Sequence, residues 1–287
     1  MALIPRFFLD AVLSIGERIG SGSVHWMGTG FFVSKDVGEG KSFVFLITNR
    51  HVLEGKKSAV IRLKAKDTGK LQEVDLPLAD ENGRRLYSVN PNAGVDIAAI
   101  LMEAGRLSGI YSKLLSFDFD AHSLTSEEFL EQGGDAGSIV YMLGFPMELV
   151  EDCSNTPICR MGCVARMDPA EISESRHFLL DIQNFPGNSG SPVVSKPELT
   201  RIEGTKSLER AALIGIVHGY FPYEEKLLNT QTGRIVETRS ENSGIALANP
   251  VEYIMQTVEL ELLRVFGAAF LNAPPIGKSE PGVAGSN

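Results

Sequence analysis

A serine set between glycines on a tight turn can present both a hydroxyl and bare backbone N–H groups. The stretch Gln183-Asn184-Phe185-Pro186-Gly187-Asn188-Ser189-Gly190-Ser191-Pro192 has that composition. Acyl transfer needs both, because a hydroxyl is a poor nucleophile until a base takes its proton, and the attacked carbonyl oxygen becomes an anion that needs donors already aimed at it. Gly187 lets the main chain approach closely, with no side chain in the way. The same residues also suit a plain turn between strands. Two further stretches bear on the choice. Thr48-Asn49-Arg50-His51-Val52 closes the apolar run Phe43-Val44-Phe45-Leu46-Ile47, so His51 sits where a buried strand emerges into a turn, a place where a lone histidine is commonly structural. Gly94-Val95-Asp96-Ile97-Ala98-Ala99-Ile100-Leu101 puts an acid at the head of an apolar strand, which alone would be an ordinary turn aspartate.

Taken together, histidine, aspartate and serine follow one another in that order, and Gly28-Thr29-Gly30-Phe31-Phe32-Val33 precedes the histidine. These four motifs resemble the trypsin-like (chymotrypsin-fold) serine peptidases. The match is closest to the bacterial HtrA/Deg-like and glutamyl-endopeptidase-like branches, which carry Gly-Asn-Ser-Gly-Ser/Gly-Pro, a Thr-x-x-His turn and an Asp-Ile/Leu-Ala strand. The resemblance runs from residue 28 to about residue 255, most of the chain. It implies an all-β fold of two six-stranded antiparallel β-barrels with the active site between them, plus a C-terminal helix. It makes Ser189 the nucleophile, His51 the general base and later acid, and Asp96 the group that orients His51. The backbone N–H groups of Gly187 and Ser189 would form the oxyanion hole.

The resemblance also locates a substrate cleft. Gln183 and Asn184 would line the primary pocket, and neither carries a charge that could pair with lysine or arginine. The opposite wall is the strand Gly215-Ile216-Val217-His218-Gly219-Tyr220, of which His218, Gly219 and Tyr220 are the candidate binding residues. Glutamyl endopeptidases read Gly-Ile-His here, whereas this chain reads Gly-Ile-Val-His. A one-residue offset turns a strand side chain to the other face, which points His218 toward Asp96, within reach of a hydrogen bond. A place in the pocket and plain packing are the alternatives. Asn188, which precedes the serine, has no charge to pair with a freshly cut N-terminus, so activation by chain cleavage is not expected. The activity implied is a serine endopeptidase acting on protein or peptide substrates in flexible segments, without cofactor or metal. The alternative is a conditionally silent or non-catalytic peptide-binding module of the same fold, regulated by an activating protein partner.

Composition narrows the partners. The chain of 287 residues carries 27 basic and 36 acidic side chains, a net charge of -9, which lacks the basic footprint of a nucleic-acid binder. Arg6 and Asp10 interrupt the first apolar residues, so no signal peptide is read there, and no apolar run approaches the roughly 18 residues of a membrane span. Cys153, Cys159 and Cys163 are an odd number, and Val52 stands where many secreted relatives have a disulfide cysteine. Both features suit a reducing, cytoplasmic setting. The cysteine spacing matches no usual zinc pattern. His25, His122 and His177 have no motif around them.

The elements that must position these groups read as strand after strand. First-lobe candidates are 30–34, 43–48, 59–63, 72–76 and 96–101, with Gly38-Glu39-Gly40 as a hairpin loop and 6–20 as a strand or helix leading in. Second-lobe candidates are 138–143, 163–167, 177–181, 191–195, 213–219 and 245–248. A capped short helix is expected over 123–130 and an amphipathic helix over 251–266. The domain reading is a lead-in at 1–27, a β-barrel lobe at 28–120, a second at 121–250, the helix at 251–266 and a disordered tail at 267–287. The insertion 222–242, rich in charge, is longer than a plain hairpin needs.

Overall fold

The computed structural model describes residues 4–20, 22–38, 42–111, 114–151, 154–198 and 203–267. The expected tail beyond Gly267, most of the expected loop at 38–40 and Cys153 lie outside the described residues. The first lobe is a sheet of β1 (Val12–Ile19), β2 (Ser23–Asp36), β3 (Ser42–Thr48), β4 (Ser58–Lys64), β5 (Leu71–Pro77), β6 (Ser88–Val89), β7 (Ala98–Met102) and β8 (Phe117–Asp118). Its order is β5-β4-β1-β2-β3-β7-β6, with β8 parallel to β2. The second lobe is a closed barrel of β9 (Ile139–Gly144), β10 (Ile158–Arg166), β11 (Phe178–Asp181), β12 (Pro192–Ser195), β13 (Leu213–Leu228) and β14 (Ile235–Pro250), in the order β10-β11-β14-β13-β12-β9.

Two closed barrels are expected from the sequence, and one is found. The first sheet stays open because its edges cannot meet: β6 has only two residues to offer, and β5 alternates between partly and fully exposed positions with none buried. Barrel closure needs a continuous ladder between the first and last strands, which so short an edge does not supply. The lead-in segment contributes β1, an inner strand that pairs with both β2 and β4.

Seven helices punctuate the described strands: α1 (Arg6–Asp10), α2 (Arg50–Leu53), α3 (Ala104–Ile110), α4 (Phe119–His122), α5 (Ser126–Glu131), α6 (Pro169–Ser175) and α7 (Val251–Phe266). The capped helix expected at 123–130 is α5, where Thr125 accepts from the Glu128 N–H and the Glu128 carboxylate accepts from the Thr125 N–H. This reciprocal capping satisfies two donors that a helix start leaves unpaired.

The expected C-terminal helix is α7. Its buried stripe of Val251, Ile254, Val258 and Leu262 packs onto the first lobe at β6 and β7, although the helix follows directly from β14 of the second. One buried carboxylate fastens it. Glu261, fully buried, accepts from Ser88 Oγ at 2.8 Å, from the Leu101 N–H at 3.0 Å and from Arg264 at 2.7 Å. Removing this acceptor strands the Ser88 hydroxyl and the Leu101 N–H and leaves Arg264 with only its bond to the Leu86 carbonyl. Glu261→Ala is therefore expected to destabilise the chain by about 3 kcal/mol, read as a lower denaturant midpoint with an unchanged slope.

Candidate active site

His51 follows β3 directly. The strand ends at Thr48, and the chain turns through Asn49 into the single turn of α2, which carries the imidazole out of the sheet. Asp96 lies just before β7, the neighbour of β3, so adjacent strands deliver the two side chains to one end of the sheet. They meet there. The His51 ring Nδ1 hydrogen-bonds Asp96 Oδ2, and the His51 N–H donates to Asp96 Oδ1 at 3.1 Å. An ionised carboxylate only accepts, so the proton belongs on Nδ1 and the lone pair on Nε2.

Asp96 is gripped on its backbone as well. Its carbonyl accepts from Asn49 Nδ2 at 2.7 Å and from the Arg50 N–H at 3.4 Å, and its N–H donates to Asn249 Oδ1 at 3.0 Å. Asn249, fully buried at the end of β14, spends its amide nitrogen on the carbonyls of Gly94 and Arg176. The second lobe thus holds the loop that carries the acid. Burial alone would raise the Asp96 carboxyl, but the hydrogen bonds and electrostatic attraction of His51, aided by His218, outweigh it and hold the group below the ordinary carboxylate range.

Ser189 sits on the turn before β12, bounded by Gly187 (φ +94°) and Gly190 (φ +87°), both in the left-handed region that side chains resist. A Cβ on Gly190 would stand 2.0 Å from the Thr29 carbonyl oxygen, and one on Gly187 would stand 2.3 Å from that of Phe145. Gly187 lets the turn press against the segment that follows β9, and Gly190 lets it press against β2. Thr29 is the point of contact: its N–H donates to the Ser189 carbonyl at 2.8 Å, and its hydroxyl donates to the Gly187 carbonyl at 2.7 Å while accepting from the Phe145 N–H at 3.1 Å. The Thr29 carbonyl in turn accepts from the hydroxyl of Thr48, three residues before His51. Gly28 is wedged between Val52 and the Ser189 carbonyl, where a Cβ would find them 2.9 and 3.2 Å away. The serine turn and the histidine helix therefore flank one short piece of β2. Among the described residues, the Ser189 hydroxyl makes no hydrogen bond, to His51 or to any other group.

The backbone around Ser189 divides its donors. Asn188 N–H is spent on the Phe185 carbonyl at 3.0 Å and Gly190 N–H on that of Val217 at 3.0 Å, whereas the N–H groups of Gly187 and Ser189 reach no acceptor among the described residues. The Pro186 carbonyl accepts from the Met147 N–H at 2.7 Å. In a trans peptide C=O and N–H point opposite ways, so this bond turns the Gly187 N–H away from Met147. Met147 holds its place at φ +54°, an unusual conformation for a side-chain-bearing residue. Asn188 is buried, and its amide finds no partner among the described residues, beside the equally unpartnered Ser191 hydroxyl.

Of the expected pocket residues, Asn184 and Gly219 are joined by a 2.9 Å bond from Asn184 Nδ2 to the Gly219 carbonyl. Gln183 and Tyr220 are exposed. His218 occupies a β-bulge: Val217 faces Ala248 and Gly219 faces Leu247, leaving it as the extra residue. It lies near enough to Asp96 and His51 to feel both charges, with its ring centroid 5.9 Å from that of His177. No hydrogen bond joins it to Asp96, and its Nε2 has no partner among the described residues. Burial, reinforced by His177 and His51 and opposed by Asp96, lowers its pKa to about 4.

A hollow of about 810 Å³ lies elsewhere, lined by Leu13, Phe32, Arg62, Lys64, Lys70 and Asn155 among others, and contains none of the candidate residues. Cys159 and Cys163 are free thiols on β10, and no group of three or more potential metal ligands occurs among the described residues. Three supporting residues escaped the sequence reading. Thr29 lay inside a noted motif, Asn249 could have been suspected from the Asn-Pro step before a helix, and Met147 had no local signal.

A family model described as a trypsin-like peptidase domain matches residues 28–198. Among solved structures, the chain is similar to one described as "HtrA-type protease AlgW with decapeptide", at 16% identity and TM-score 0.45, over 90% of this chain and 66% of that one. It is also similar to the MamO protease domain from Magnetospirillum magneticum, at 15% identity and TM-score 0.45, over 88% of this chain and 97% of that one. The chain thus spans a little under two thirds of the first of these. No curated protein matches it.

Two outcomes follow from this geometry. Thr29→Val removes a hydroxyl that serves two buried backbone groups, and should cost about 2 kcal/mol of stability, read from denaturant melts. A His218 that stays neutral down to about pH 4 when folded takes up its proton near pH 6.5 when unfolded, so stability falls as pH drops through that window. The loss between pH 7.5 and 4.5 should be about 2 to 3 kcal/mol greater in the parent chain than in His218→Gln.

Proposed function

The chain belongs to the trypsin-like peptidase family, and from that premise we propose that it is a serine endopeptidase. Ser189 Oγ attacks the carbonyl carbon of the scissile bond while His51 Nε2 takes the hydroxyl proton. The resulting oxyanion is received by the N–H groups of Gly187 and Ser189. Collapse breaks the C–N bond, His51 passes its proton to the departing amine, and a water activated by the same imidazole releases the acyl group. Asp96 keeps the ring in the required tautomer and steadies its charged form.

The observation that carries this reading is the pair of unspent N–H groups on either side of Asn188, in a turn where the N–H groups of Asn188, Gly190 and Ser191 are all bonded. A turn with a purely structural task has no reason to leave those two donors without acceptors. A cytoplasmic setting fits the free thiols of Cys159 and Cys163, and no helix among the described residues is long and apolar enough to cross a membrane.

One observation favours the second reading, a conditionally silent module that waits for an activating partner: the Ser189 hydroxyl is not bonded to His51. Such bonds are often loose before substrate arrives, so the enzyme reading stands first. Fluorophosphonate labelling separates the two. The expected result is an adduct on the parent chain that Ser189→Ala abolishes, with Asp96→Asn lowering turnover by about 10⁴-fold. Absence of label with and without added peptides or partners would leave the binding module.

A further inference from the structure

β13 leaves the barrel and keeps going. Its start pairs with β12, and the last bonds on that side are both made by Val217, its N–H donating to the Ser191 carbonyl at 2.9 Å and its carbonyl accepting from the Gly190 N–H at 3.0 Å. From Gly219 to Leu228 its ladder partner among the described residues is β14 alone. An open strand edge therefore begins at His218, Gly219 and Tyr220, the expected wall of the cleft, and continues unbroken away from Ser189. At about 3.4 Å per residue it runs on the order of 30 Å.

One side-chain bond indicates which residues turn their backbones to the open side. The Phe221 carbonyl accepts from Ser243 of β14 at 2.6 Å and so faces inward. Backbone direction alternates along a strand, which leaves Tyr220, Pro222, Glu224 and Lys226 facing outward. The irregularities beyond Tyr220 place their extra residues on β14, so this alternation in β13 is not reset. Pro222 agrees with it, since proline is tolerated where its missing N–H would face away from the ladder.

The side chains match the backbone. Phe221, Tyr223 and Leu227 share one face of β13, and all three are exposed. The nearby charges partly cancel: Lys226 pairs with Glu224, and Arg239 with Glu237. A two-stranded ribbon without a core is marginal in water, and an unpaired edge with apolar side chains invites another strand. An extended polypeptide can supply one, through main-chain bonds for affinity and alternate side chains for preference.

We propose that the β13 edge from Tyr220 to Leu228 is an exosite that receives, as an added antiparallel strand, the unfolded stretch of substrate lying N-terminal to the scissile bond. This rests on the endopeptidase reading and narrows it: the substrate is an unfolded protein with a weakly charged, alternately apolar segment ahead of the cut. The acyl half of the substrate is the half that follows β13, because on the endopeptidase reading its last residue enters the expected pocket, of which Asn184 and Gly219 are members joined by a hydrogen bond.

The test uses three peptides with one cleavage sequence: a short one, one extended by ten weakly charged, β-prone residues on the N-terminal side, and one extended equally on the C-terminal side. Each is turned over by the full chain, by Glu224→Pro, which removes an outward N–H but no ladder bond, and by a variant with 222–242 replaced by Asn-Gly. The N-terminal extension should raise kcat/KM about tenfold, chiefly through KM, and both variants should shrink that ratio. An unchanged ratio, or a gain from the C-terminal extension alone, overturns the exosite. Fluorescence anisotropy of the same peptides on Ser189→Ala reads the exosite without turnover, and equal Kd values for short and extended peptides also overturn it. Length-dependent binding without labelling or cleavage would retain the exosite and remove the endopeptidase reading. A concentration-dependent dimer that the shortened hairpin abolishes, with no length effect, would assign the edge to a second copy of the chain instead.

Discussion

The candidate site depends on one buried hydroxyl-bearing residue that belongs to neither the nucleophile nor its base. Thr29 lies in the first lobe, yet its N–H and hydroxyl bind carbonyls on both sides of Asn188 in the second. Its own carbonyl is held by Thr48 at the root of the histidine helix. Three bonds from one residue thus set the distance between turn and helix, and each is short and buried, where an unmade hydrogen bond is most costly. The flanking glycines are the condition for this: Gly28 and Gly30 leave room for Val52 and Ile15, and only a residue without Cβ fits at Gly190 against Thr29. What looks like a loose glycine-rich run before a strand is a tightly filled joint between lobes.

A second joint runs the other way. Asn249, the last residue but one of β14, reaches from the barrel to the Asp96 loop, and α7 then carries the chain back across to β6 and β7. Asp96 is therefore fixed from three directions: by the α2 turn, by Asn249, and by a helix whose Glu261 is bonded to the strand that follows it. This matters for charge as well as for place. A carboxylate in so buried a position would favour its neutral form were it not for the imidazole and backbone donors arranged around it. Burial makes His218 reluctant to accept a proton, and the neighbouring imidazoles of His177 and His51 add to that reluctance while Asp96 opposes it.

Local chemistry explains which parts were legible in the sequence. Strands with clean alternation or continuous apolar runs, such as β3, β4 and β7, declared themselves, and so did α7, whose apolar period is unbroken from Val251 to Leu262. Asp96 and His51, each unremarkable alone, gained meaning from their order with Ser189. What stayed hidden depended on contacts between distant residues. β6 has two residues and no pattern to read, so the open first sheet could not be anticipated from periodicity. The bond from Met147 to Pro186 joins loops far apart in the chain, and the bulge at His218 arises from pairing with β14 rather than from any local preference. The expected approach of His218 to Asp96 holds as proximity but not as a hydrogen bond.

The bulge also joins the chemistry to the ribbon. An extra residue in an edge strand bends it and increases its twist, so a bulge between the barrel and the projecting hairpin changes the direction in which β13 leaves the molecule. It does so at the residue that sees both Asp96 and His51, which means the path of the strand and the electrostatics of the dyad share a position. Residues 222–241 are exposed throughout, so their direction is inherited from that root. Backbone pairing at the root, fastened by Asn184 to Gly219 and by Asn242 to the Asn184 carbonyl, is then the element through which anything docked on the ribbon would be registered at the pocket wall. The matched family region ends at residue 198, short of this strand, of Asn249 and of α7. The residues proposed for acyl transfer, with Gln183 and Asn184 of the expected pocket, lie within the shared region, and the strand proposed as its opposite wall lies in the stretch that follows.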